Sequence, residues 1–320
     1  MSLFGLAATQ AYAEVTDYTR YVNPFVGNAD NGHTFPGACR PFGMIQTSPV
    51  TGGVGWRYCS EYVYSDSVIW GFTQDHLNGT GCMDLGDILV MPVTGKRTRA
   101  WDAYRSAYVK SQEFATPGYY SVYLSDAKVK AELTCSPHVA FHRYTYDSAD
   151  STSVLIDLQH GPAWSDKQYH SQVNLCETRW EDDNTLVGHV KNTVWVEQDY
   201  FFVIKFNRPV ASHVTLAKAF DTEKGDRIVA SFDGIEQGEQ LLMKIAMSTT
   251  SIDGAKKNLE TEVPGWDFAA VKKAAHDDWN GYLARIDVDG TEEDKFNYYT
   301  SFYHALIQPN QIADVDGMYR

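Results

Sequence analysis

The chain has 320 residues, which is enough for one large domain or two ordinary ones. Hydrophobic residues make up 43% and charged residues 21%, as in chains that fold around a packed core, so extensive disorder is excluded. The formal net charge of −14 argues against nucleic acid and anionic membranes as partners, because both bind basic surfaces. No apolar run reaches the roughly 18 residues of a membrane span.

The first residues are typical of the end of a signal peptide. Residues 1–13 read MSLFGLAATQAYA, and Ala11-Tyr12-Ala13 fits the small-residue pattern of a signal-peptidase site. The usual positive start is missing, so we interpret residues 1–13 as a signal-peptide remnant. An ordinary chain terminus is the alternative.

Residues 23–56 are rich in Gly and Pro, which predicts loops and tight turns. Long ordered loops often carry function. His33 and Phe35 precede a rigid Pro36-Gly37 turn and are candidates to line a pocket, with a purely structural turn as the alternative. Trp56 follows a glycine-rich stretch, where its ring could stack on a sugar face or merely anchor the loop.

Strand signals follow one another from about residue 68 to 250. The segments are rich in Val, Ile, Tyr and Phe, many alternate apolar with polar residues, and turn residues separate them. This pattern predicts a large antiparallel β-sandwich or barrel within a domain at 14–252. The predicted strands are Val68–Thr73, Ile88–Pro92, Tyr119–Leu124, Val129–Cys135, Val139–Tyr146, Ser153–Leu158, Leu186–Lys191, Val194–Phe206, Ile228–Phe232 and Leu241–Thr249.

Polar residues are concentrated between the first and second of these segments, at Asp75, His76, Asp84 and Asp87. They could bind a metal ion, but no dedicated ligand spacing is present. We favour polar side chains that bond the turns of a glycine-rich connection. The five Cys are widely spaced, which fits small buried residues, with or without one disulfide.

Two helices are predicted near the end of the chain. A stripe of apolar residues at helical spacing predicts the first at about 267–286, within a helical linker at 253–290. Thr291 and the acidic residues after it predict the start of a second helix, which Pro309 stops. Residues 291–320 would begin a helical domain. We expect the apolar stripes of both helices to be poorly covered, which would favour self-association.

Asp314-Val-Asp316-Gly follows the second helix, where loops often carry site residues. It begins like an EF-hand loop, but the later ligand positions are wrong. No P-loop, dinucleotide fingerprint or nucleophile-elbow motif occurs. With 41 Asp and Glu, the sequence does not single out a catalytic pair of carboxyls.

Taken in order, several motifs resemble glycoside hydrolase family 92, and the likeness covers nearly all of residues 21–320. Each motif is weak alone, but the ordered set is specific. The matching stretches are Tyr21–Gly27, Gly32–Pro36, Arg40–Met44, Gly55–Tyr58, Gly71-Phe72, His76–Gly81, Asp84–Pro92, Phe302–Leu306, Gln308-Pro309-Asn310 and Asp314–Arg320.

The resemblance implies a calcium-dependent exo-α-mannosidase that inverts anomeric configuration. Members are mostly bacterial and exported, to the periplasm or the cell surface, and they act on mannose-containing glycans. The family fold is a β-sandwich, a helical linker and an (α/α)6 barrel. For this chain it implies a mainly β fold: a large antiparallel β-sandwich, then linker helices and the first element of a truncated (α/α)6 barrel. The active site lies between the two domains.

Members of the family are considerably longer than this chain. The resemblance therefore implies that the catalytic acid, the base and most calcium ligands lie beyond Arg320, in a barrel that this chain would contact, and that the chain alone is inactive. The resemblance assigns no catalytic and no metal residue here. It implies sugar contacts at His33, Phe35, Trp56, Asp314 and Asp316. The alternative function is a stand-alone carbohydrate-binding or assembly module without catalysis.

Overall fold

The structure is a computed structural model that describes residues 16–320 apart from residues 30, 96–99 and 149. The expected signal-peptide remnant at 1–13 lies outside the described residues. The regular structure of the described chain is mainly antiparallel β, as predicted, with helices towards its end. In chain order the strands are β1 (Ala38–Cys39), β2 (Gln46–Val50), β3 (Val68–Ile69), β4 (Gly71–Thr73), β5 (Leu89–Thr94), β6 (Ser106–Ala107), β7 (Glu113–Thr116), β8 (Tyr119–Leu124), β9 (Val129–Cys135), β10 (Val139–Tyr146), β11 (Thr152–Asp157), β12 (Val173–Asp182), β13 (Thr185–Thr193), β14 (Glu197–Phe206), β15 (Ser212–Thr215), β16 (Arg227–Phe232) and β17 (Gln240–Ser248).

Two large sheets form a sandwich. One has seven strands in the order β1-β2-β4-β5-β11-β16-β15, and the other has eight in the order β12-β13-β14-β17-β10-β9-β8-β7. Strands β3 and β6 form a small separate pair. The inner faces of both large sheets share one apolar core, with Ile156 from the first sheet and Leu133 and Ile245 from the second. Burial of this continuous core is the main stabilising term of the fold.

Four helices are described: α1 (Asp166–Tyr169), α2 (Ile252–Glu262), α3 (Phe268–Leu283) and α4 (Glu292–Ala305). Helices α2 and α3 cover the outer face of the eight-stranded sheet, where Leu259 and Phe268 pack against Phe141. Helices α3 and α4 also pack on the segment before β1, where Trp279 and Tyr303 meet Phe35 in a third apolar cluster. The helices therefore shield the middle of this outer face, whereas β12 at the edge of the sheet stays largely exposed.

The start of α4 confirms the predicted capping pattern. The Thr291 side chain accepts from the Asp294 N–H, and the Asp294 carboxylate accepts from the Thr291 N–H. This reciprocal pair satisfies two donors that a helix N-terminus leaves free. The first predicted helix is also present, although it is shorter than the expected span of 267–286.

The expectation of poorly covered helix stripes is wrong. The stripes pack against the eight-stranded sheet and against the segment before β1, so most of their rings and aliphatic groups are shielded from water. The buried members are Phe268, Ala275, Trp279, Leu283, Tyr299 and Tyr303.

The cysteines behave as small buried residues rather than as cross-links. All five thiols are free, and Cys39, Cys59 and Cys135 are buried. Cys39 accompanies Tyr303 in the third apolar cluster, where their side chains are 3.5 Å apart.

Candidate functional site

Several loops meet at one end of the sandwich. The β4–β5 loop reaches the loop that carries His33, whose C=O accepts from Gly79 N–H at 2.7 Å. The loop before the 3₁₀ turn Trp56–Tyr58 bonds to the β11–β12 loop, where Gly55 N–H donates to Ala163 O at 2.8 Å. Segments far apart in sequence therefore form one surface.

Trp56 projects from this surface. Its side chain is 50% exposed, and its indole N–H donates to Asn31 Oδ1 at 2.7 Å. Gly81 lies against the ring so closely that a Cβ there would be 2.2 Å from a ring carbon. Gly55 begins the turn with a φ of +89°, a conformation that glycine adopts without strain. Two glycines and one hydrogen bond thus fix the indole and leave half of it open.

The imidazole of His33 meets Trp56 edge-on, with ring centroids 4.8 Å apart and an interplanar angle of 88°. His33 is 4% exposed, and neither ring nitrogen has a hydrogen-bond partner among the described residues. Burial lowers the pKa of His33, so the ring is neutral near pH 7, with one donor and one acceptor. Because buried polar groups are normally paired, this ring has capacity for a ligand hydroxyl.

Phe35 lies deeper than the sequence suggested. The ring is completely buried and packs at a centroid distance of 5.1 Å from His76. A ring without exposed surface cannot touch a sugar in this conformation. The expected sugar contact is corrected to a supporting position beneath the loop that carries His33.

A buried ion-pair network holds the loop of Trp56 on the seven-stranded sheet. Glu61 lies 2.7 Å from His160 Nε2 and 3.2 Å from His76 Nε2, and it accepts from Thr73 Oγ1 at 2.8 Å. Burial alone would raise the pKa of Glu61, but the two histidines outweigh it and lower the pKa to about 2. Glu61 is therefore a carboxylate whose acceptor capacity is used internally. This network was not predictable from the sequence, because no local motif joins residues 61 and 160.

The acidic side chains of the β4–β5 loop accept hydrogen bonds within this loop and from the neighbouring turn, as favoured from the sequence. Asp87 N–H donates to Asp75 Oδ1 at 2.7 Å, and both carboxyls are buried. Asp84 accepts from Gln198 Nε2 at 3.0 Å and lies 3.4 Å from Trp195 N in the β13–β14 turn. In the part of the chain that the structure describes, no three His, Cys, Asp or Glu side chains are grouped as metal ligands.

Asp314 and Asp316 differ sharply in their surroundings. Asp314 is 2% exposed and accepts hydrogen bonds from Ser248 at 2.7 Å, Thr250 at 2.6 Å and Asn258 at 2.8 Å. With its oxygens occupied, it anchors the final turn to α2, and the expected sugar contact is corrected accordingly. Asp316 is more accessible and pairs with Lys257 at 2.7 Å.

The structure brings His33 and Trp56 into contact and places Phe35 near them. No contact joins this group to Asp314 or Asp316 among the described interactions, and those two aspartates lie beside α2. Direct sugar contact stays a prediction for His33, Trp56 and Asp316. Asn31, which the sequence analysis did not single out, joins the group through Trp56; only its place in the Gly-rich loop could have indicated it.

At the end of this large sandwich, a half-exposed indole lies beside an imidazole without a hydrogen-bond partner among the described residues, an apolar and a hydrogen-bonding surface of the kinds that suit a sugar. Residues 21–248 match the model of the glycosyl hydrolase family 92 N-terminal domain, and residues 254–320 match the model of the catalytic domain of that family. The chain belongs to glycosyl hydrolase family 92.

Solved structures of the family match nearly the whole chain. A family GH92 α-mannosidase from Bacteroides thetaiotaomicron is 31% identical with a TM-score of 0.87, over 95% of this chain and 43% of that one. It has also been solved in complex with mannoimidazole. A family GH92 inverting mannosidase from the same bacterium is 25% identical with a TM-score of 0.80, over 96% of this chain and 42% of that one.

A curated relative agrees with this assignment. An uncharacterized secreted glycosidase from Arthroderma benhamiae is 25% identical over 338 residues, which cover 95% of this chain and 43% of the relative. The chain thus spans well under half of the relatives that it matches. Within the described residues, no helix has the length and apolar character that crossing a membrane requires.

Proposed function

We propose that this chain is the N-terminal portion of an exported, exo-acting α-mannosidase that removes terminal α-mannose from glycans. One observation carries the proposal: the unpaired imidazole of His33 lies against the half-exposed indole of Trp56. A pyranoside has an apolar C–H face and a rim of hydroxyls, which suit an indole and a neutral imidazole respectively. The relative solved with mannoimidazole supports mannose as the sugar.

The proposed role of these residues is to bind and orient the sugar. Trp56 stacks on the ring and excludes water from one face, while a His33 nitrogen holds a hydroxyl. An inverting hydrolase protonates the leaving oxygen with one carboxyl and activates water with another, and the two stand roughly 6.5–9.5 Å apart. The proposal assigns both carboxyls to sequence beyond Arg320, in the part of the relatives that this chain does not cover.

Calcium dependence belongs to the same proposal. The residues of this chain that the structure describes include no group of three or more His, Cys, Asp or Glu side chains placed to hold a metal ion. The proposal assigns the calcium ligands elsewhere in the complete enzyme and routes no step through the ion here. Export is supported by the secreted relative and by the Ala-x-Ala sequence at residues 11–13, and the proposal adds the periplasm or cell surface of a bacterium as the destination.

The test is a hydrolysis assay with the polypeptide of the complete reading frame and with residues 1–320 alone. We expect the complete polypeptide to release mannose from 4-nitrophenyl α-mannoside and to leave the β-mannoside and α-glucoside intact. Residues 1–320 should release none. Cleavage by residues 1–320 would show that the acid and base lie within them, and preference for another glycoside would refute the substrate.

A second candidate function is a carbohydrate-binding module without catalysis. The exposed indole of Trp56 favours it, because stacking needs no catalytic group. Calorimetric titration of residues 1–320 with mannose separates the two. Submillimolar affinity that Trp56→Ala abolishes would favour the module. Weak binding would favour the mannosidase, in which the sandwich forms only part of a sugar pocket completed by the remainder of the enzyme.

A further inference from the structure

Among the side chains whose exposure the structure describes, two further tryptophans are exposed outside the proposed sugar contact. Trp164 in the β11–β12 loop is 41% exposed, and Trp195 in the β13–β14 turn is 67% exposed. Tryptophan is on average highly buried, and exposed apolar side chains that cluster at one place mark interaction surfaces.

Direct hydrogen bonds link the segments of these residues to that of Trp56. Ala163 bonds to Gly55, and the next residue, Trp164, donates its N–H to Gln168 Oε1 at 2.8 Å. Gln168 Nε2 donates to Val194 O at 3.3 Å, one residue before Trp195. The three indole-bearing segments are therefore neighbours at the same end of the sandwich.

The β4–β5 loop connects the segment of Trp195 to that of Trp56. Trp195 N lies 3.4 Å from Asp84 Oδ1, and three residues before Asp84 the backbone of Gly81 supports the ring of Trp56. The three indole-bearing segments are thus joined in sequence by contacts that include the amide of Gln168 and the carboxylate of Asp84. We name Trp56, Trp164 and Trp195 the tryptophan rim.

We propose that the tryptophan rim binds successive sugars of a neutral oligosaccharide, with Trp164 and Trp195 holding residues beyond the terminal mannose. The inference rests on the proposed function, because the rim is continuous with Trp56. Flat rings beside hydrogen-bonding groups match the alternating C–H faces and hydroxyls of a sugar chain. A chain with a net charge of −14 also favours a neutral ligand over an anionic one.

The test is calorimetric titration of residues 1–320 with mannose, α-mannobiose and a linear α-mannotetraose. The variants are Trp164→Ala, Trp195→Ala and, as a matched control, Phe114→Ala. Phe114 is 56% exposed on β7, at the edge of the eight-stranded sheet opposite β12. We expect wild type and Phe114→Ala to bind the tetraose about tenfold more tightly than mannose, and each rim variant to bind it about threefold more weakly than wild type, because the two rings share that gain.

The outcomes separate the rim from the proposed function. Binding of mannose without any gain for longer chains, or rim variants that behave like Phe114→Ala, would overturn the rim and leave α-mannoside recognition standing. Trp195-dependent binding of maltotetraose but not of mannosides would keep the rim and refute mannose as the substrate. Failure to bind any oligosaccharide, or rim variants that change only self-association in sedimentation, would overturn the rim.

Discussion

At the scale of single residues, Asp314 and Asp316 show how two neighbouring acids take different roles. Asp314→Ala leaves the hydroxyls of Ser248 and Thr250 and the amide of Asn258 without their shared acceptor in a buried place. We expect the free energy of unfolding to fall by about 3 kcal/mol in urea denaturation. Asp316→Ala, the matched control, should change stability far less because its pair with Lys257 is exposed. Equal losses in the two variants would contradict the anchoring role of Asp314.

The buried acids of the β4–β5 loop predict a pH dependence of stability. Burial raises the pKa of Asp75 to about 6, although the Asp87 N–H lowers it in part, and burial also raises the pKa of Asp87, with Asp75 nearby. Asp84, Glu61, His76 and Tyr200 also face this pair. A carboxyl that holds its proton more tightly when folded stabilises the fold fully below its unfolded pKa, near 3.8, and loses that contribution as the pH rises through 6.

We therefore expect Asp75→Asn to flatten the stability profile between pH 4 and pH 7 and to raise the melting temperature at pH 8, since an amide needs no proton. Asp289→Asn, on an exposed turn, is the control. Thermal unfolding followed by circular dichroism across this range is the measurement. An unchanged slope in Asp75→Asn would show that the pair does not hold a proton at neutral pH.

At the scale of elements, α3 and α4 pack against the segment before β1 through one apolar cluster. Trp279 has no exposed surface, and its indole N–H donates to Cys39 O at 2.7 Å. Trp279→Ala should cost about 3–5 kcal/mol of unfolding free energy. Phe296→Ala, on the exposed side of α4, should cost much less. Similar losses in both would mean that the helices dock loosely on the sandwich.

The same scale shows what the sequence can predict. Strands β8, β9 and β10 have the predicted bounds, because alternation or apolar content is strong there. Strand β12 was missed because it lies at the edge of its sheet and exposes many polar residues. Strand β2 was missed because Pro49 lies within it, although Pro49 still pairs with Phe72.

The candidate site was predictable only in part, and the reason is physical. Composition marked the loop of His33 and Trp56, since glycine and proline are local signals. Burial depends on long-range packing, so the sequence could not show that Phe35 and Asp314 lie beneath the surface. Nor could spacing show that Trp195 neighbours Asp84, which is 111 residues away.

At the scale of the whole molecule, the fold and the two family matches agree with a division of roles between the sandwich and the remainder of the enzyme. In the proposal, the sandwich supplies a fixed surface for the sugar, and the acid and base belong to the remainder of the complete enzyme. Helix α2 packs on the outer face of the eight-stranded sheet, and its Asn258 donates a hydrogen bond to Asp314. The final turn of the chain is thereby held on the sandwich. The loop end presents the exposed indoles and an imidazole that has no hydrogen-bond partner among the described residues.

The most direct measurement of that division is the kcat/KM of the complete polypeptide for 4-nitrophenyl α-mannoside, in wild type, Trp56→Ala and Phe114→Ala. Loss of one stacked ring and its hold on the sugar should lower kcat/KM at least about tenfold in Trp56→Ala. The melting temperature should stay close to wild type, because half of the indole is exposed. Phe114→Ala should match wild type in both. An unchanged kcat/KM in a folded Trp56→Ala would contradict the claim that the loop end of this sandwich binds the sugar.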